Sequence, residues 1–286
     1  MIELINKKYI GGNNRISVYD IQIPKEPKAI ILFAHGYKGF KDWGAWNAVQ
    51  NYFVNAGYGF VKFNFSHNGG TVENPIDFPD LDAFGNNNYS LELFDLNKMT
   101  SITYKYLSEL KLEVPVYLIG HSRGGGMAII HAAHDPRINK IVSWAGISDI
   151  EKRFPVDEEL DDWKIAGERI VENGRTKQQM PHYYQMYEDY ILHKSKLDIK
   201  VACEILKQPF LQIHGDMDLA VSISEGIMIS RWTDTEICIV KGAGHTFQTK
   251  HPWNETELPP DLLRVLEATL TFFEKENQIT SDSIEG

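Results

Sequence analysis

The sequence predicts an α/β fold, a mostly parallel central sheet with helices on both faces, and three observations carry that prediction. Short apolar runs without polar alternation, AIILFA at 29–34 and VPVYLI at 114–119, read as strands buried on both faces. Strand-like and helix-like segments alternate three times before residue 120, the pattern of a parallel sheet with right-handed crossovers. At Gly120, His121, Ser122, Arg123 and Gly124 the apolar run stops at a serine, and a glycine-flanked helix begins.

Each element follows from local signals. Residues 2–9 and 15–23 are strand-like on either side of Gly11, Gly12, Asn13 and Asn14, which predicts an antiparallel hairpin closed off by Pro24 and Pro27. The strand at 29–34 delivers His35, Gly36 and Tyr37 to a loop. A helix over 43–55 stops at Gly57 and Gly59, and 60–65 is the next strand. Residues 66–90 have no periodicity and are crowded with Asn, Gly, Pro and Asp, so this stretch is functional or hides a turn of helix. Leu93, Leu96, Met99, Thr103, Leu107 and Leu110 mark one face of a helix that runs to the serine-bearing strand.

Beyond the helix that follows Ser122, strands are expected at 140–145, 208–214 and 236–240, and a closing helix at 260–276 with Pro259 and Pro260 at its start. The tail at 281–286 is expected to fray. Between the strands at 140–145 and 208–214 no buried strand is evident. The stretch is acidic at first (Asp157, Glu158, Glu159, Asp161, Asp162) and aromatic later (Tyr183, Tyr184, Tyr187, Tyr190). It reads as a helical cap insertion over 147–207, with helices near 158–172, 181–193 and 196–206, inside a single domain spanning 1–286.

Composition narrows the partners. A chain of 286 residues, 43% hydrophobic, buries a full core. The net charge of −10 argues against nucleic acid or an anionic membrane, either of which needs a basic patch. Cys203 and Cys238 are too few for a disulfide framework. The N-terminus lacks the apolar core of a signal peptide, and no stretch approaches the ~18 apolar residues of a membrane span, so a cytoplasmic location is expected.

GxSxG at a strand-to-helix junction is the pattern of a nucleophile elbow, a turn so tight that the flanking positions must lack bulky side chains. The bland alternative is a serine capping a helix after a buried strand. A serine hydroxyl needs a base to become a nucleophile, and the base needs an orienting acid. Both are available in order: HGDMDLAV follows the strand ending at His214, and KGAGHTF follows the strand ending at Val240. Asp218 and His245 therefore fall on loops at the carboxyl ends of successive strands, where ligands gather in open α/β sheets. Asp216 competes for the acid role and His251 for the base.

With these residues in place the sequence resembles the α/β-hydrolase superfamily from about residue 15 to 276. The resemblance rests on HGYKG at 35–39, GHSRGG at 120–125, HGDMD at 214–218 and GAGH at 242–245. It is similar to the intracellular esterases on the dienelactone-hydrolase and prolyl-oligopeptidase side. It departs from true dienelactone hydrolases, which carry cysteine in place of Ser122, and it lacks the propeller domain of the large oligopeptidases. The resemblance implies the α/β-hydrolase fold, an HGxxD spacing that selects Asp218 and leaves Asp216 to brace the loop, and an ester-cleaving serine hydrolase. It further implies an oxyanion hole formed by the backbone N–H groups of Tyr37 and Arg123.

His35, Trp163 and Phe247 are the candidate substrate contacts. His214 is expected to tether its loop, His67 and His182 to face solvent, and the Arg123 side chain to tie down the elbow. The HxxHD of His131, His134 and Asp135 resembles a metal pair, but no further ligand signal accompanies it. No nucleotide loop is present, so neither metal nor organic cofactor is expected. The expected partner is a small-molecule ester; oligomeric state is open. A small serine peptidase or amidase uses the same residues, and a non-catalytic binding protein is the alternative of a different class.

Overall fold

A computed structural model describes residues 1–275, so the expected tail at 281–286 and the last residue expected of the closing helix lie outside the described residues. The chain opens with the expected hairpin, β1 (Ile2–Ile10) and β2 (Ile16–Ile23), joined through a short turn at Gly12–Asn14. Then come β3 (Ile30–Ala34), α1 (Trp46–Asn55) and β4 (Gly59–Phe63). The 66–90 stretch contains a turn of helix, α2 (Leu81–Gly85), capped by the Asp80 carboxylate. Helix α3 (Tyr89–Leu110) starts earlier than its apolar face suggested, because the Asn88 side chain accepts from Leu91 N and caps it.

The serine-bearing unit is β5 (Val116–His121) and α4 (Arg123–His134), followed by β6 (Ile138–Trp144). After the 147–207 segment come β9 (Phe210–Gly215), α8 (Ile223–Trp232), β10 (Ile237–Val240) and α9 (Pro260–Glu274). Eight strands form one sheet in the order β1-β2-β4-β3-β5-β6-β9-β10. Pairing is parallel from β4 to β10 and antiparallel only where β1 meets β2 and β2 meets β4.

Alternation along the strands divides the core. Leu32, Ala34 and Leu118 share a core with α3, α4 and α8, while Ile31, Phe33 and Ile119 share one with α1 and α9. Chain order reverses between β3 and β5, so the loop after β3 and the turn after β5 lie side by side at the carboxyl edge of the sheet. This is the switch point at which open α/β sheets gather ligands. Beneath it, Lys41 and Lys62 are fully buried; their ammonium groups share Asp20 at 2.8 and 2.9 Å, and both also pair with Asp42. Because a buried charge is tolerated only when paired, this cluster fixes the loop after β3 onto β2 and β4.

The 147–207 segment carries the three helices of the mostly helical cap expected from sequence, and a strand pair that was not expected. It holds α5 (Asp157–Ala166), an antiparallel ribbon of β7 (Glu168–Glu172) and β8 (Gln179–Tyr183), α6 (Gln185–His193) and α7 (Ile199–Ile205). The helix expected over 158–172 ends early because Gly167, at φ 74°, takes the left-handed cap conformation. No helix among the described residues is long and apolar enough to cross a membrane.

Candidate active site

Ser122 sits between β5 and α4 at φ 58°, ψ −121°, a backbone strain of roughly 1–3 kcal/mol. The flanking glycines make the turn possible. A Cβ at Gly120 would lie 2.2 Å from Gly124 O, and one at Gly124 would lie 2.5 Å from the carbonyl oxygens of both Ala34 and His35. The strain therefore persists because β3, β5 and α4 are packed too closely for the turn to relax.

The structure brings Ser122, His245 and Asp218 into one hydrogen-bonded chain. Ser122 Oγ is 2.9 Å from His245 Nε2, and His245 Nδ1 donates to Asp218 Oδ2 at 2.7 Å. The other Asp218 oxygen accepts from the amides of Ala220 and Val221 at 2.8 and 2.9 Å. Burial opposes ionisation of Asp218, yet bonds from His214 and His245, the His245 charge and the Val221 amide outweigh it. The carboxyl is held well below its ordinary range.

The competing residues have other partners. Asp216 accepts from Gly242 N at 2.6 Å and so braces the loop. His251 Nδ1 accepts from Gly44 N at 3.0 Å, and His214 Nε2 donates to Val221 O at 2.9 Å. His131, of the HxxHD pattern, is buried against Thr100 Oγ1 at 2.9 Å. No group of three or more His, Cys, Asp or Glu side chains is placed to hold a metal among the described residues.

The backbone N–H groups of Tyr37 and Arg123 have no hydrogen-bond partner among the described residues, and Arg123 is the first residue of α4, where helical amides are unpaired. Gly36 permits their approach, since a Cβ there would lie 2.8 Å from Ser122 Cβ. Behind them the Arg123 guanidinium is buried, 3.2 Å from Glu92 Oε1.

Two cavities meet at Ser122 and His245. The larger, about 420 Å³, is walled by Tyr37, Tyr89, Phe154, Trp163, Val171 and Met186, with Arg153 and Arg169 among its polar lining. A smaller one of about 220 Å³ extends the other way, past Lys38, Trp43, Asn173 and Thr246.

Of the three expected substrate contacts, only Trp163 lines a cavity, where its Nε1 donates to His182 O at 2.8 Å. His35 is buried in the turn instead: Nδ1 donates to Gly36 O at 2.9 Å and Nε2 accepts from Phe65 N at 3.2 Å. Phe247 is wholly buried in the core beside His121, because that core closes over the loop carrying His245. Two histidines expected at solvent are also placed otherwise. His67 is buried, and His182 lines the larger cavity, accepting from the Tyr37 hydroxyl at 2.6 Å.

Several residues went unrecognised in the sequence. His121 donates from Nε2 to His245 O at 3.0 Å, anchoring the loop that carries the imidazole. Arg169, Val171 and His182 reach the cavity from the ribbon, whose signal was the Asn173-Gly174 pair between two short segments.

A mostly parallel sheet of this strand order, with a tight strand-to-helix turn at Ser122 after a central strand, defines the α/β-hydrolase fold. Solved structures agree over nearly the whole chain. Est1E from Butyrivibrio proteoclasticus with ferulic acid bound is 18% identical with a TM-score of 0.68, covering 92% of this chain and 96% of that one. The esterase domain of a Rhodothermus marinus protein is 19% identical with a TM-score of 0.60, covering 87% and 91%. Dienelactone hydrolase from Anabaena variabilis is 18% identical with a TM-score of 0.61, covering 94% and 98%. No family profile and no curated protein matches the sequence.

Proposed function

We propose that the protein is a serine hydrolase that cleaves carboxylic esters through an acyl-enzyme. The observation that carries this reading is the unbroken bond chain from Asp218 through His245 to the Ser122 hydroxyl. His245 Nε2 takes the Ser122 proton as Oγ attacks the ester carbonyl carbon, and the carbonyl electron pair moves onto oxygen. Two otherwise unpaired amides, of Tyr37 and Arg123, receive that oxyanion; a donor of this kind lowers the barrier by ~3–4 kcal/mol. Collapse returns the carbonyl and breaks the bond to the alcohol oxygen, which leaves with the proton from His245. Water, deprotonated by His245 in turn, attacks the acyl carbon; collapse breaks the bond to Ser122 Oγ, which takes the proton back from His245, and the acid is freed. Asp218 remains ionised throughout and steadies the imidazolium.

The larger cavity lies within the ~300–1,000 Å³ range of small-molecule sites, and its walls suit an apolar or aromatic substrate portion. The esterases among the structural relatives, one with ferulic acid bound, support ester cleavage. A fluorophosphonate probe tests the nucleophile: the wild type is labelled and Ser122→Ala is not, with its denaturation midpoint preserved. Persistent labelling of the variant refutes the assignment. A panel of acyl esters against aminoacyl amides then separates esterase from amidase.

A further inference from the structure

The larger cavity is unevenly charged. Of the three arginines that line it, Arg123 is paired with Glu92 and Arg153 with Glu225. Arg169 has neither a carboxylate partner nor a side-chain hydrogen bond among the described residues. The pairing pattern of the ribbon explains why. Along β7, burial alternates so that Arg169 and Val171 turn inward while Glu168 and Glu172 turn outward, on the opposite face. Across the ladder, Arg169 stands opposite His182.

Nearby, the Lys38 ammonium donates only to the Glu172 backbone carbonyl, at 3.0 Å, and likewise has no carboxylate partner among the described residues. His182 registers this field. Burial first, then the charges of Arg123, Lys38 and Arg169, push its pKa down to about 3, so it stays neutral and accepts from Tyr37. In a chain with a surplus of acidic residues, no acidic side chain among the described residues lines this cavity. A half-buried guanidinium left without a counter-charge at an aromatic pocket is a receptor for one, and its planar fork matches a carboxylate.

We propose that the part of the substrate filling the larger cavity carries a carboxylate, received by Arg169. This rests on the ester-hydrolase reading and names the class of ester: one in which an acidic group lies on one side of the scissile bond.

Two isosteric pairs test it: 4-nitrophenyl hydrogen glutarate against 4-nitrophenyl valerate, and 3-carboxyphenyl acetate against 3-methylphenyl acetate. In one pair the charged ester should show kcat/KM about ten-fold or more above its neutral partner, as a charge-assisted bond provides. Arg169→Gln should bring that ratio to about one, and Arg169→Lys should keep part of it; a structural role alone would not move the ratio. Charged esters no better than neutral ones in both pairs overturn the proposal, while turnover of the neutral esters leaves the hydrolase reading standing.

A binding measurement separates the two further. In Ser122→Ala, monomethyl glutarate should bind about ten-fold tighter than dimethyl glutarate by calorimetry, and the difference should vanish in Ser122→Ala/Arg169→Gln. Equal affinities in Ser122→Ala overturn the anion site whatever the chemistry at Ser122.

Discussion

The Arg123 guanidinium lies 4.5 Å from the centre of the Tyr37 ring, so the two residues whose amides point at the proposed oxyanion are also joined through their side chains. The same cation lies 4.9 Å from the Tyr89 ring and is paired with Glu92. Arg123→Ala therefore does more than remove a contact, because among the described residues it leaves the buried Glu92 carboxylate with only Asn87 as partner. Chemical denaturation should show a loss of about 3–5 kcal/mol. Adding Glu92→Gln should recover part of it; strictly additive losses would mean the pair is not coupled.

Asp218 and Asp216 are two residues apart but hold different partners, which makes them separable. Asp218→Asn keeps an oxygen for the Ala220 and Val221 amides while the imidazole loses its charged partner. Turnover should fall by roughly 10³–10⁴. Asp216→Asn should cost less than about ten-fold, since its bond is to Gly242 N. Equal losses from the two changes would remove Asp218 from its proposed role.

Gly36→Ala tests the oxyanion site by crowding. The added methyl would stand 2.8 Å from Ser122 Cβ and 3.1 Å from His121 O, so the loop after β3 must retreat from the elbow. A retreat that weakens one donor should lower kcat by about 10²–10³ with KM far less affected. Unchanged kcat would place the oxyanion elsewhere.

Stability should fall steeply in acid. Burial holds His35, His67 and His131 down to about 4, and His121 and His182 down to about 3. A histidine with a depressed folded pKa binds fewer protons when folded, so its contribution is present above about pH 6.5 and lost as pH drops toward the folded value. Asp95 has the opposite sign. Burial raises its carboxyl to about 6 against the bonds from Ser66 and Gly12, which offsets about one proton. Net uptake on unfolding of roughly three to four protons near pH 5 should cost on the order of 10 kcal/mol between pH 6.5 and 4.5. A denaturation midpoint that is flat over that interval would contradict the neutral, buried state of these rings.

What the sequence made legible was whatever is written locally. Ser122 was visible because an apolar strand, a GxSxG and a small-residue helix are contiguous, and His245 and Asp218 because each follows a buried strand within a few residues. The ribbon within the cap was not legible because β7 and β8 are five residues each, with Ile170 half-exposed, so neither presents a buried apolar run. Gly167 and Asn173-Gly174 were the punctuation that marked the ribbon, but the acidic start of α5 made a longer helix the simpler reading. Glu92 and Asp95 were missed for another reason. They lie on the buried side of α3 among apolar residues, and only tertiary partners, Arg123 for one and the Gly12 and Ser66 amides for the other, make that tolerable.

A two-stranded ribbon has little stability of its own, and β7–β8 is upheld from outside. Gln178 donates to Phe78 O at 3.0 Å, Tyr183 to Asp82 at 3.0 Å, Arg175 pairs with Asp77, and the Tyr37 hydroxyl and Lys38 reach it from the far side. Grafting residues 168–183 onto another scaffold of this architecture would therefore transplant half a wall. The portable unit is discontinuous, the ribbon together with 77–88, a stretch that itself lines neither cavity at Ser122.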